Sequence, residues 1–312
     1  MVSFSSSFTA LLLLACGLGP AARAASNIPF DRIVAFGDSM TDTGNLFTLS
    51  RQRWPDQSLY YRGRFTNGPV WIEWLQQMSG AELDNLSFAG GTSDSDFIQG
   101  TSGRWNGVFA APGVRQQIIQ YYLPKLKSAK YATVSPDRTL YMLWVGGIDI
   151  SSAIEQRKPL NTTTVDRIVE NTISSMQLLH DQAGAVHFLL PNIPSFASTP
   201  VAHEFPAFLT KPIERLLPYH DQQMKMALEA FLAKNPSVHV MVVDYRQFET
   251  SIRANASKYG ITNIVDGCVD MAKRLPCADE RVYFYHDGHH PTTMIHKMFA
   301  HSVHQMLQRK WL

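Results

Sequence analysis

The sequence predicts a three-layer α/β/α fold in which helices cover both faces of a central parallel sheet. Four short apolar runs along the chain are typical of buried strands. Segments with apolar residues at helical spacing separate these runs, and strands that alternate with helices of this length form parallel sheets. With 312 residues, of which 45% are hydrophobic and 17% charged, the chain can bury one large core.

The predicted elements follow in strand–helix order. Residues 32–36 form the first strand, and a helix is predicted at residues 69–78, where Pro69 suits the first helical position. Within a helix predicted at residues 212–234, Pro218 is expected either to kink the helix or to mark its start. The other elements are strands at residues 140–145, 186–190 and 238–243, an amphipathic helix at residues 162–183 and a final helix at residues 292–308.

Three irregular stretches, residues 49–67, 93–112 and 194–212, are rich in aromatic and turn residues. In open parallel sheets, the loops at the carboxyl ends of the strands build the ligand site. The aromatic side chains of these stretches either line a groove for an acyl chain or pack as ordinary loop residues. They include Trp54, Tyr60, Tyr61, Trp105, Phe109, Phe196 and Phe205.

The N-terminal segment is typical of an export signal. Residues 8–18 (FTALLLLACGL) are apolar but too short to span a bilayer, and residues 22–24 offer an A-x-A cleavage site. We expect a signal peptide over residues 1–24 and one domain over residues 25–312, secreted or periplasmic. The first seven residues carry no Lys or Arg, which is atypical, and Cys16 would also suit a bacterial lipoprotein signal.

The charge pattern argues against nucleic acid as a partner. The formal net charge is only +2, and the 28 Lys and Arg residues are scattered along the chain. The sequence also contains no motif of nucleic-acid recognition.

The cysteines indicate a disulfide. Of the three, Cys16 lies in the predicted signal, which leaves Cys268 and Cys277 as an even pair in an exported protein. We therefore infer a disulfide that closes a short loop.

The stretch VAFGDSMTDTGN, residues 34–45, places Ser39 directly after the first predicted strand. A Ser at that point has its hydroxyl at the sheet edge and its N–H near a helix N-terminus, which suits a nucleophile whose own amide stabilises an oxyanion. Asp and Ser are also common turn and capping residues, so this stretch alone fits a structural turn equally well.

The stretch YHDGHHPT, residues 285–292, lies just before the last predicted helix. Asp287 and His290 are three residues apart, so the carboxylate can hold one imidazole nitrogen while the other faces a nucleophile, as in a Ser-His-Asp triad. His286 or His289 could be a surface residue. Zinc is a poor alternative, because no second cluster of Cys, His or carboxylate side chains supplies the missing ligands.

Four motifs in matching order resemble those of the GDSL family of SGNH hydrolases, and the resemblance covers nearly the whole mature chain. They are residues 36–45 (FGDSMTDTGN, with Met where the family name has Leu), 63–71 (GRFTNGPVW), 85–92 (NLSFAGGT) and 287–291 (DGHHP). The resemblance implies a flavodoxin-like fold and a serine carboxylic-ester hydrolase, with no metal and no cofactor.

The same resemblance assigns Ser39 as nucleophile, His290 as general base and Asp287 as the residue that orients it, with the backbone N–H groups of Ser39 and Gly90 as oxyanion donors. The family's G-x-N-D motif departs here, because residues 145–149 read VGGID and Ile148 stands where an Asn side chain is the usual third donor. Loss of one such donor costs about 10² to 10³ in turnover elsewhere. Another group must substitute, or the enzyme is slow, or the protein binds its ligand without turnover.

Within the family, the chain most resembles the secreted bacterial group of phospholipase A, lysophospholipase and glycerophospholipid:cholesterol acyltransferase. This resemblance implies hydrolysis of phospholipid or lysophospholipid esters at a membrane or micelle surface, with acyl transfer to another alcohol as a further activity. The alternatives are a carbohydrate O-acetyl esterase of the same fold and a catalytically weak lipid-binding protein.

Some secreted members of this group carry a regulatory disulfide loop. We hypothesise that the loop between Cys268 and Cys277 likewise flanks or covers the site, and that a protease can cleave it around Lys273 and Arg274. The alternative is that the disulfide only staples the segment before the last motif.

Overall fold

The structure, a computed structural model, describes residues 27–128, 131 and 135–311. The predicted signal peptide of residues 1–24, its cleavage site and Cys16 lie outside the described residues. Within the described part of the chain, no helix combines the length and the apolar character needed to cross a membrane.

A parallel sheet of five strands forms the centre of the fold. The strands are β1 (Arg32–Gly37), β2 (Glu82–Asn85), β3 (Thr101–Arg104), β4 (Gly107–Ala110), β5 (Thr139–Trp144), β6 (His187–Pro191), β7 (His239–Val243), β8 (Asn263–Gly267), β9 (Val269–Asp270), β10 (Leu275–Pro276) and β11 (Tyr283–Tyr285). The central sheet has the order β2-β1-β5-β6-β7, and the others pair as β3–β4, β8–β11 and β9–β10. The central order is that of flavodoxin-like folds, in which ligands bind where the strand order reverses, here at the carboxyl ends of β1 and β5.

Helices connect the strands and cover both faces of the sheet. They are α1 (Asn45–Leu49), α2 (Trp71–Ser79), α3 (Val114–Gln116), α4 (Leu123–Leu126), α5 (Gly147–Glu155), α6 (Thr162–Ala183), α7 (Ala207–Lys234), α8 (Tyr245–Ala254) and α9 (Thr293–Trp311). A π-helical stretch, Gln117–Tyr122, joins α3 to α4.

Strand β1 shows why the core has two halves. Its six residues are all buried, and alternate side chains point to opposite faces of the sheet. Ile33 and Ala35 pack with residues of α2 and α9, whereas Val34 and Phe36 pack with residues of α6 and α7. A strand buried on both faces reads as one continuous apolar run, which is the pattern that identified it. The predicted three-layer α/β/α fold is confirmed.

The four predicted strands of the sheet are present within about a residue of their expected bounds, but the fifth, β2, was not predicted. Its residues, ELDN, are only half-buried because β2 lies at the edge of the sheet. An edge strand needs no apolar run, so hydrophobic periodicity does not reveal it.

Two prolines that were predicted to mark helix starts do not do so. Helix α2 begins at Trp71 rather than Pro69, because the Glu73 side chain accepts a hydrogen bond from the Val70 N–H at 3.0 Å and caps the helix there. Helix α7 begins at Ala207, five residues before the predicted start at Pro212, and continues through Pro218, so a start at Pro218 is also wrong. Pro212 and Pro218 both lie inside this helix, each at a cost of about 3 kcal/mol, and the packing of its buried residues against α5 and α6 offsets that cost.

Candidate active site

The turn after β1 places Ser39 at the carboxyl edge of the sheet. The Asp38 carboxylate accepts a hydrogen bond from the Met40 N–H at 3.0 Å, and the Asp38 carbonyl accepts from the N–H groups of Thr41 and Asp42, each at 3.0 Å. Asp38 therefore closes the turn that presents Ser39. The Ser39 N–H itself donates to no residue that the structure describes.

Ser39, His290 and Asp287 form one hydrogen-bonded chain. His290 Nε2 lies 2.7 Å from Ser39 Oγ, and His290 Nδ1 lies 2.8 and 2.9 Å from the two carboxylate oxygens of Asp287. Because an ionised carboxylate can only accept, Nδ1 carries the proton and the Nε2 lone pair faces the Ser39 hydroxyl. The geometry meets the distance requirement for a base that activates a nucleophile.

The electrostatics of the pair agree with those roles. Burial disfavours the charge on each group, but their mutual attraction and hydrogen bonding outweigh it. The pKa of His290 is therefore raised above its ordinary value, and the pKa of Asp287 is held well below its own. Asp287 stays ionised, and His290 is a stronger base than free imidazole.

A further partner of Asp287, Tyr60, was not predicted in this role. Its hydroxyl donates to Asp287 Oδ2 at 2.7 Å in a buried position. Burial, followed by the charge of Asp287, raises the pKa of Tyr60 far above its ordinary value, so the phenol remains a donor. No local signal distinguishes Tyr60 from Tyr61 in the sequence, because the contact spans 227 positions.

The segment GRFTNGPVW, residues 63–71, holds the chain that carries His290. Thr66 Oγ1 donates to the Pro291 carbonyl at 2.9 Å, and Asn67 Oδ1 accepts from the Thr293 N–H at 2.8 Å. The Phe65 ring lies 5.4 Å from the His290 ring. This motif therefore positions the segment that carries His290.

Gly90, the second predicted oxyanion donor, lies in the turn that follows Ala89. It adopts a φ of +86°, and a Cβ there would lie 2.6 Å from the Thr101 carbonyl oxygen, so only glycine fits. Its N–H donates to no described residue. The preceding N–H, of Ala89, donates to Asp42 Oδ2 at 2.8 Å. Asp42 thereby joins the segment of Gly90 to the turn that holds Ser39.

The position of the usual third donor holds an aliphatic side chain. Ile148 lies half-buried in the first turn of α5, beyond the carboxyl end of β5. The next residue, Asp149, is fully buried and accepts hydrogen bonds from the N–H and hydroxyl of Ser93 at 2.8 and 2.5 Å. The polar residue of this motif is therefore engaged in holding α5 to the segment after β2.

The histidines beside the triad differ in exposure. His286, considered a surface residue from the sequence, is buried, with Nε2 3.0 Å from the Leu59 carbonyl oxygen and its ring 5.1 Å from that of Tyr60. Burial lowers its pKa, so it remains neutral. His289 is exposed, in agreement with the surface interpretation.

The aromatic residues of the irregular stretches separate into two groups. Trp54 and Tyr60 pack in a buried cluster with Phe65, which is ordinary core packing. Trp105 and Phe205 are exposed. The rings of Phe196 and Phe205 lie 6.3 Å apart.

Cys268 and Cys277 are joined in a disulfide, and the short strands β9 and β10 pair within the loop that it closes. The Val269 N–H donates to the His286 carbonyl at 2.7 Å, so the loop is attached to the residue next to Asp287. At the far end of the loop, Arg274 pairs with Asp56. The loop therefore contacts both the segment that carries Asp287 and the stretch that carries Tyr60.

Comparison with known proteins gives consistent results. A family model described as GDSL-like Lipase/Acylhydrolase matches residues 33–303. The thermolabile hemolysin of Vibrio parahaemolyticus serotype O3:K6 (strain RIMD 2210633) is 24% identical over 88% of this chain and 63% of its own length. The phosphatidylcholine-sterol acyltransferase of Aeromonas hydrophila is 29% identical over 77% of this chain and 65% of its own. The chain thus spans slightly less than two thirds of these relatives.

A solved structure described as a carbohydrate esterase has the same fold. It aligns with a TM-score of 0.51 and 13% identity, covering 94% of this chain and 69% of its own. At this identity the likeness concerns the fold alone.

Proposed function

The chain belongs to the GDSL-like lipase/acylhydrolase family, and from that premise we propose that it hydrolyses phospholipid or lysophospholipid acyl esters through an acyl-enzyme on Ser39. The observation that carries the proposal is the continuous hydrogen-bonded chain from Asp287 through His290 to Ser39 Oγ. The two relatives named for haemolysis and for phosphatidylcholine-sterol acyl transfer support a lipid substrate.

The proposed reaction follows from the positions of these atoms. Ser39 Oγ attacks the ester carbonyl carbon while His290 Nε2 takes its proton, and ionised Asp287 stabilises the imidazolium that forms. The carbonyl oxygen becomes an oxyanion that accepts hydrogen bonds from the unpaired N–H groups of Ser39 and Gly90. Collapse breaks the ester bond, and His290 returns the proton to the leaving alcohol.

The second half of the reaction releases the acyl group. His290 takes a proton from a water molecule, whose oxygen attacks the acyl carbon, and Ser39 leaves with that proton restored. An alcohol in place of the water gives acyl transfer instead of hydrolysis.

The deciding experiment is an ester panel with purified protein and its Ser39→Ala variant. The substrates are a phospholipid, a lysophospholipid, a short acyl ester and acetyl xylan. We expect the wild-type protein to hydrolyse the lipid esters. The Ser39→Ala variant should hydrolyse them at least about 10³-fold more slowly. Equal turnover by both proteins would refute the role of Ser39.

A carbohydrate O-acetyl esterase is the second candidate, since the fold also occurs in a carbohydrate esterase. Turnover of acetyl xylan in preference to both lipids would favour it. A catalytically weak lipid-binding protein is the third, because Ile148 provides no side-chain donor. Covalent labelling of wild-type Ser39 by a fluorophosphonate would contradict that candidate.

We also propose that residues 1–24 direct export and are removed, leaving residues 25–312 as a single hydrolase domain. The mass and N-terminal sequence of the protein recovered outside the cytoplasm test this. A mature N-terminus at Ala25 supports it, an acylated Cys16 would indicate a lipoprotein instead, and retention of Met1 would contradict both.

An activating protease at the disulfide loop is a further proposal. Lys273 and Arg274 are exposed, although Arg274 is paired with Asp56. Limited trypsin digestion followed by the ester assay is the test. A rise in activity with cleavage between Cys268 and Cys277 supports regulation, whereas unchanged activity would show that the loop is only a staple.

A further inference from the structure

Three segments beside the triad together carry an unusual charge. Residues 49–67, 101–110 and 268–277 contain seven Lys or Arg and two Asp, a net charge of +5, while the whole chain has a net charge of +2. The remainder of the chain is therefore negative. We call these three segments the basic rim.

The segments of the basic rim contact one another. The Arg274 guanidinium lies 4.6 Å from the centre of the Trp105 ring, and Asn106 Nδ2 donates to the Arg53 carbonyl at 3.1 Å. The Trp105 and Trp54 rings lie 6.0 Å apart. The hairpin β3–β4, the aromatic-rich stretch and the disulfide loop thus form one continuous surface.

Several cations of this surface lack a carboxylate partner. Among the described residues, no ion pair is formed by Arg51, Arg53, Arg62 or Arg104. Their charge is available to an external anion.

Large apolar side chains are also exposed in the segments of the basic rim. Val108 is 67% exposed and Leu275 59%, and Trp105 at the tip of the hairpin is 41% exposed. Tryptophan favours the boundary between water and lipid, since its ring is apolar and its N–H polar. Exposed apolar residues flanked by cations are typical of surfaces that lie on anionic membranes.

The hairpin also connects this surface to the proposed oxyanion site. The Thr101 carbonyl, at the base of β3, lies against Gly90, and strand geometry places Arg104 about 10 Å further along. The hairpin therefore leads from the segment of Gly90 to the exposed tip that carries Trp105.

We propose that the basic rim is the docking surface for an anionic phospholipid bilayer. Arg53 and Arg104 attract the phosphate groups, and Trp105, Val108 and Leu275 enter the boundary between headgroups and acyl chains. This inference rests on the proposed lipolytic function, because it names the surface from which substrate reaches the triad.

The test is sedimentation with vesicles, using the full chain with Ser39→Ala so that the lipid is not consumed. Vesicles of phosphatidylcholine alone are compared with vesicles containing one quarter phosphatidylglycerol. We expect tighter binding to the anionic vesicles, weakened by salt. Arg104→Gln should weaken binding about fivefold, and Val108→Asp by about tenfold or more.

Matched controls separate docking from general damage. Arg215→Gln changes an exposed arginine on α7, and Val242→Asp changes a valine that is 51% exposed on the edge strand β7. Neither should change vesicle binding. In the background with Ser39 intact, all four variants should hydrolyse a water-soluble ester at the wild-type rate.

The outcomes distinguish this inference from the proposed function. Hydrolysis of monomeric lysophospholipid without vesicle binding would overturn the docking surface alone, as would equal effects of the rim variants and the controls. Binding to insoluble acetyl xylan that depends on Val108, without binding to vesicles, would assign the surface to a glycan and overturn it too. Absence of Ser39-dependent lysophospholipid hydrolysis would overturn the function.

Discussion

Replacing Tyr60 with Phe removes a single hydroxyl group from the candidate site. That hydroxyl donates to Asp287 Oδ2 at 2.7 Å, and both side chains are buried. The aromatic contacts of Tyr60 with His286 and Phe65 involve the ring, which phenylalanine retains. The substitution therefore tests Tyr60 as a residue that positions the triad, separately from its role in packing.

The expected magnitude follows from the charge of the acceptor. A hydrogen bond to an ionised group contributes about 1.5 to 3 kcal/mol, and Asp287 Oδ2 would retain only His290 as a partner. We expect the free energy of unfolding to fall by about 2 kcal/mol at neutral pH. If a similar energy supports the transition state, kcat/KM falls by about tenfold or more.

The loss of stability in Tyr60→Phe should depend on pH. The pKa of Asp287 is depressed in the folded state, so its hydrogen bonds contribute stability above its ordinary pKa of 3.8, and this contribution is lost as the pH falls below that value. The stability difference between wild type and Tyr60→Phe should therefore be largest near neutral pH and decrease in acid.

The substitution should also shift the acid limb of the pH–activity profile. In the proposed mechanism, activity appears as His290 loses its proton. Burial lowers the pKa of His290, but Asp287 raises it by more, so the pKa lies above its ordinary value. Without the Tyr60 donor, Asp287 attracts the imidazolium more strongly, so the acid limb of kcat/KM should move to higher pH.

The assays are urea denaturation at several pH values and kcat/KM against pH for a soluble ester. Tyr61→Phe is the matched control, because the Tyr61 hydroxyl bonds to no described residue. A Tyr60→Phe variant with reduced stability but an unshifted acid limb and unchanged kcat would refute the positioning role.

Other substitutions test the remaining features of the site. Gly90→Ala should lower the free energy of unfolding by about 1 to 3 kcal/mol and remove most of the activity. The control Gly260→Ala, at a similar φ of +74° with open space around it, should leave activity intact. Equal activities of the two variants would refute the oxyanion role of Gly90. Ile148→Asn should raise kcat at least about tenfold if the new amide reaches the oxyanion. The control Ile154→Asn, on the same helix, should not raise it. No gain with Ile148→Asn would show that residue 148 does not limit turnover. Asp42→Asn replaces a carboxylate that accepts four backbone N–H groups, so urea denaturation should show a loss of about 2 to 3 kcal/mol, and an unchanged midpoint would contradict this.

The fold was largely predictable because β1, β5 and β6 are buried on both faces and β7, although it lies at the edge of the sheet, is still apolar. Strand β1 and the three strands that follow it in the sheet read as apolar runs, and the helices between them carry apolar residues at helical spacing. Strand β2 and the hairpin β3–β4 were missed, since they are edge or surface strands whose pairing depends on neighbours rather than on their own composition.

The sequence by itself determined the local parts of the candidate site. Asp287 and His290 are three residues apart, and the turn between them is closed by the Asp287 carboxylate, which accepts from the N–H groups of His289 and His290 at 2.8 and 2.7 Å. Local hydrogen bonds and periodicity are encoded within a few residues, so a motif is sufficient to indicate them.

Only the tertiary structure decided which distant groups meet these residues. The Ser39 hydroxyl and His290 are 251 positions apart, and Tyr60 is 227 positions from Asp287. The resemblance of motifs suggested the first contact, but nothing in the sequence indicated the second. The basic rim likewise exists only because three segments that are distant in the sequence pack together, and no single stretch of residues indicates that contact.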